Sequence, residues 1–120
     1  MVAVEKFTYE VPYRHTLKTG ALTYPVAICA ECGRVVEPTS REYSRTGAHG
    51  TWYYEHEHPL AFIILKESNS GKREVAMTPG VPRPLREIVR VLWIYRASSA
   101  EEVEEAVAKW LEARARGEKI

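Results

Sequence analysis

The chain has 120 residues, 45% of them hydrophobic and 28% charged, with a formal net charge of +1; this is the size of one domain around one modest core. No apolar run approaches the roughly 20 residues that span a bilayer, so membrane insertion is not expected, and the near-balanced charge excludes a protein that coats nucleic acid through bulk positive charge. Asp and Gln are absent and Asn69 is the only Asn, a depletion of heat-labile amides expected of proteins that work hot, and one that removes every mechanism requiring an Asp.

In chain order, the amino end "MVAVEKFTYEVPYR" places charged residues before any sustained apolar stretch. It therefore lacks the core of a secretion signal, and a cytoplasmic protein is expected. "FTYEVPY", "ALTYPVAIC" and "TWYYEHEH" read as short strands, with aromatic and β-branched residues between Pro and Gly punctuation. The intervening "TSREYSRTGAHG" reads as a loop. "LAFIILKESNSGKREVAMT" predicts a hairpin about the turn cluster Ser68-Asn69-Ser70-Gly71. Residues 1–78 thus form a β half, closed by the stiff connection Pro79 to Pro84.

Beyond it, "LREIVRVLWIY" fits two templates. Leu85, Ile88, Val89 and Leu92 share a helical face, while the unbroken Val and Ile content favours a strand from about Ile88 to Tyr95, which is the expectation taken here. The last segment predicts a helix: Ser98 or Ser99 as N-cap with Glu three residues on, an apolar stripe of Val103, Val107, Trp110 and Leu111, and Arg114 and Arg116 before Gly117. Residues 85–117 are then a strand plus a helix, and the whole is an α+β domain, a mostly antiparallel sheet with a zinc-knuckle hairpin and a C-terminal amphipathic helix.

The only cysteines, Cys29 and Cys32, stand in "CAECGR". A Cys-x-x-Cys turn brings two thiolates to one tetrahedral ion, and the following Gly33 permits the tight turn that points backbone amides at sulfur. The stretch resembles the zinc knuckle of zinc-ribbon and treble-clef proteins, where such a turn sits at the tip of a β-hairpin; the second Cys-x-x-Cys of most zinc ribbons is absent. The missing ligands are sought among the histidines. His56 and His58 lie at i and i+2, the spacing that puts both imidazoles on one face of a strand, and neutral imidazole is a common zinc ligand. Cys29, Cys32, His56 and His58 would complete a structural zinc site, with His49 as reserve. The competing readings are two buried structural cysteines or a disulfide, a solvated strand end for the histidines, and a redox pair, which would need a helix that "GRVVEPTS" opposes.

An enzyme would need an open metal position with a base, for which Glu55 or Glu57 is available. No His-Glu-x-x-His, deaminase His-x-Glu, Gly-x-Ser-x-Gly elbow or glycine-rich phosphate loop occurs. The remaining candidate is a basic surface: Lys72, Arg73, Arg83, Arg86, Arg90 and Arg96 face only Glu74 and Glu87 between residues 72 and 96. Arg73, Arg83, Arg86 and Arg90 are the expected phosphate contacts, with Trp52, Tyr53 and Tyr54 as stacking surfaces. The expected function is a zinc-stabilised binding protein contacting nucleic acid or a nucleic-acid-handling protein complex. The alternatives are a metal-dependent enzyme and an assembly protein forming a homo-oligomer through its strand edges.

Overall fold

The structure, a computed structural model, describes residues 6–15, 21–45 and 47–117; the amino-terminal residues 1–5, part of the stretch weighed above as a secretion signal, lie outside it. The strands are β1 (Phe7–His15), β2 (Leu22–Cys29), β3 (Arg34–Val36), β4 (Ser40–Tyr43), β5 (His49–His56), β6 (Ala61–Glu67) and β7 (Arg73–Met77). The helices are α1 (Arg83–Arg90), continued by a π turn over Val91–Tyr95, and α2 (Ala100–Ala115). All strand pairs are antiparallel, in the order β4-β5-β1-β2-β6-β7, with β3 also on β2. The α+β class and the mainly antiparallel sheet are therefore as expected, and the β6–β7 hairpin forms where the turn cluster placed it.

β2 and β6 lie at the centre and are buried on both faces, which is why their sequences read as apolar runs rather than alternating ones. Val26, Ile28, Ile63 and Leu65 face the helices, meeting Leu85, Val89, Trp93, Val103, Val107 and Leu111. Ala27, Cys29 and Phe62 turn to the other side and pack with Val11, Trp52, Tyr54 and Leu60. A core on each face of one central strand pair is how the chain covers a sheet with so few helices.

Two expectations are corrected. The expected strand from about Ile88 to Tyr95 is helical, and the helix begins at Arg83, inside the expected connection Pro79 to Pro84: Leu85, Val89 and Trp93 recur every fourth residue as the buried set, whereas Arg90, Val91, Ile94 and Tyr95 are exposed. Pro84 sits in the first turn, where its missing N–H costs nothing. The ending is also helical in logic, since the Arg96 N–H reaches back five residues to Val91 O, and the Ser98 N–H bonds Leu92 O across Ala97, which takes φ of 52°. Second, "TSREYSRTGAHG" is not all loop: Ser40–Tyr43 pairs with β5 as β4, and His49 already belongs to β5. The C-terminal helix follows its expected cap, Ser99 Oγ accepting from the Glu102 N–H at 3.2 Å while donating to Glu102 Oε1.

The join between β1 and β2 is short. They pair only at Arg14↔Thr23 and His15↔Leu22. Two residues further in this register Pro12 would oppose Pro25, and neither can donate a ladder hydrogen bond. The β1–β5 ribbon separates from β2 at that point.

No helix of the described residues is long and apolar enough to cross a membrane.

Candidate metal centre

β2 ends at Cys29, and a turn of four residues returns the chain into β3, with Arg34 opposite Cys29. Gly33 closes the turn with φ of +65°, its N–H donating to Cys29 O at 2.9 Å. The Cys32 N–H points at Cys29 Sγ, 3.3 Å away, the amide-to-sulfur contact that stabilises a thiolate. A Cβ on Gly33 would stand 2.7 Å from the Ala115 Cβ at the end of α2, so the turn is seated against that helix as well as sharply bent. Gly33→Ala is expected to cost at least about 2 kcal/mol, the left-handed conformation alone accounting for about 1–2; chemical denaturation measures it.

The histidines arrive from the end of β5 and the bend that follows it. β1 pairs with β5 to its end, Phe7 opposite His56. β5 then stops, and residues 57 and 58 bend so that the two imidazoles converge at 68° with centroids 5.4 Å apart. The expectation that both histidines project from one strand face is therefore corrected: only His56 is in the strand, and His58 reaches the same point from the bend.

The four candidate ligand atoms lie within 4.8 Å of one another. Cys32 Sγ is 3.4 Å from His56 Nε2 and 3.4 Å from His58 Nδ1, and Cys29 Sγ is 3.7 Å from His58 Nδ1. A tetrahedral ion with Zn–S bonds of about 2.3 Å and Zn–N bonds of about 2.0–2.1 Å requires sulfur-to-nitrogen edges of about 3.5 Å. The three observed edges bracket that value, and the group could hold a metal ion.

Two further residues tune the site, and the sequence reading passed over both. Glu31, inside the Cys-x-x-Cys turn, places Oε2 3.1 Å from His58 Nε2. A proton held on Nε2 by that carboxylate leaves Nδ1 as the free lone pair, the arrangement by which carboxylates orient metal-bound histidines. Arg34 lies beside the site as a fixed positive charge. The His56 pKa is lowered from its usual value by burial first, then by Arg34 and His58, which keeps the imidazole neutral and ligand-competent. The Cys32 thiol is raised, by desolvation first and then by Cys29, with Arg34 opposing. Cys29 is wholly buried and Cys32 exposed, so one side of the site is core and the other meets solvent.

The remaining candidates are scattered. His49 begins β5, seven residues from His56 and thus roughly 23 Å away along an extended strand; it is not in the cluster. Arg73 is mostly buried, bonded to Glu67, to Trp93 O and to Ser98 O, and stacked 4.0 Å over the Trp93 ring. Arg86 donates to Val81 O and Thr78 O. Arg83 and Arg90 are exposed on α1, seven residues apart. Trp52 and Tyr54 are core residues and offer no stacking face, and the half-buried Tyr53 donates to Glu42. Glu55 is exposed and alternates away from His56 on β5.

Comparison with protein-family models, with curated proteins and with solved structures finds no match to this chain.

Proposed function

We propose that the protein is a zinc-stabilised binding module in which the ion is structural, and that it contacts nucleic acid through the exposed face of α1 and its π turn. What supports the structural role is the ligand set: two thiolates and two imidazoles within 4.8 Å of one another, three of their sulfur-to-nitrogen edges at tetrahedral length, would fill a four-coordinate ion and leave no position for a substrate or an activated water. The zinc clasps the knuckle-like turn between β2 and β3 to the end of β5, joining segments 24 to 29 residues apart in sequence.

What supports the nucleic-acid reading is the company kept by Tyr95. Tyr95 is 77% exposed, beside exposed Val91 and Ile94 and close in sequence to exposed Arg90 and Arg96, with Arg83 two helical turns before Arg90. An exposed aromatic among cations suits an unpaired base and its phosphates, and stacking of this kind contributes about 1–3 kcal/mol per base. A short single-stranded oligonucleotide is expected to bind at low salt. Tyr95→Ala should weaken it at least fivefold, and Arg90→Ala should reduce the salt slope by about 0.7. Absence of binding at low salt contradicts this partner and leaves the closed metal site untouched.

A further inference from the structure

A cleft of about 990 Å³ opens where the β1–β5 ribbon leaves β2, at the upper end of the range of roughly 300–1,000 Å³ usual for ligand sites. Every residue from 8 to 14 borders it. Side chains of a strand alternate between faces, so an unbroken run means that the strand's edge, not one face, forms the wall.

That edge is largely without a ladder partner. The His15 N–H donates to Ala48 O on the β5 side, so in this ladder the odd-numbered residues of β1 bond to β5 and the even-numbered ones point away from it. Arg14 finds β2. Thr8, Glu10 and Pro12 have no ladder partner on that side among the described residues, because β1 pairs with β2 only at Arg14 and His15. Pro12 lies where a proline is tolerated, with its absent N–H on the unpaired side. Opposite this edge stand the apolar side chains of Phe62 and Ile64 from β6.

The cleft is closed and basic at one end. β2 rejoins β1 at Thr23 and Leu22, so a chain lying along β1 must stop there. At that stop the pairing His49↔Arg14, Arg14↔Thr23 and Thr23↔Lys66 places Arg14, Lys66 and His49 in one cross-strand row, all lining the cleft. Neither Arg14 nor Lys66 has an acidic partner among the described residues.

We infer that the cleft binds the C-terminal end of an extended peptide, which pairs with the free edge of β1, runs parallel to it, and sets its terminal carboxylate against Arg14 and Lys66. The edge of β1 supplies the strand pairing, the half-buried Ile64 beside the buried Phe62 receives an apolar side chain, and the two cations select a free carboxylate. This surface is separate from α1 and from the metal ligands, so the module engages a protein partner there.

The test uses the zinc-loaded full chain and a fluorescein-labelled hexapeptide pool, apolar at alternate positions, synthesised once with a free C-terminus and once as the amide. The acid pool is expected to bind and to shift the amide resonances of Thr8 and Glu10; amidation, or the exposed-site variants Arg14→Gln and Lys66→Gln, should each weaken binding at least tenfold. Variants that keep the wild-type amide spectrum elsewhere report on recognition rather than folding. No binding of the acid pool, equal binding of acid and amide, or a shift of Thr8 and Glu10 by an oligonucleotide and not by peptide would overturn the inference.

Discussion

Chelation of the metal is expected to lower the melting temperature by about 15 °C, and Cys32→Ser should do the same without chelator. At free zinc about 1,000-fold above its Kd, an ion that binds only the native state contributes about 4 kcal/mol, and about 4 °C per kcal/mol is usual for a domain of this size. The effect stops short of unfolding because the centre is not the only core. Cys29 lies among Ala27, Trp52, Tyr54 and Phe62, contacts that do not need the ion. Cys32 is the cleaner variant, since its side chain is exposed and its loss removes a ligand without burying a hydroxyl. Cys29→Ser adds the cost of a hydroxyl in the core, about 1–3 kcal/mol if unpaired, so it should be the less stable of the two. Calorimetry with and without chelator checks both. Identical melting curves would show that the site does not couple to folding.

Trp93→Ala is expected to destabilise the native state by about 4 kcal/mol, the level of a buried large-to-small substitution. Trp93 is the largest fully buried side chain, and it does more than fill space. Its Nε1–H is shared between Lys66 O at 3.2 Å and Glu74 O at 3.0 Å, cross-strand partners in the β6–β7 hairpin. Arg73 stacks on the ring while its Nη1 donates to Trp93 O and Ser98 O. Helix, hairpin and the chain entering α2 are thus tied at one residue. Trp93→Phe separates the contributions: it keeps most of the volume but removes the indole donor, for an expected cost of about 1–2 kcal/mol. Urea titration gives both values, and a Trp93→Phe protein as stable as wild type would remove the indole hydrogen bond from the account.

The candidate ligand cluster was legible because its residue types are scarce. With two cysteines and four histidines in the chain, few ligand sets exist, and the paired spacings select one. Glu31 was not legible, because an acidic residue between two cysteines acquires meaning only when His58 folds against it. The segment 85–95 shows a different failure. Val and Ile content favoured a strand, but Leu85, Val89 and Trp93 carry a fourfold period that packing rewards and composition does not reveal. Arg73 and Arg86 counted as free surface charge in the sequence, whereas each holds backbone carbonyls at an element end. The cleft was hidden for a related reason: that Pro12 and Pro25 would meet if the β1–β2 ladder continued is evident only once its register is known.

On the proposed function, Cys29, Cys32, His56 and His58 enclose one zinc ion. X-ray absorption at the zinc edge of the purified protein tests it most directly. One zinc per chain is expected, with two sulfur neighbours at about 2.3 Å and two nitrogen neighbours at about 2.0–2.1 Å. A protein without zinc, or a first shell containing oxygen in place of either imidazole, would contradict it.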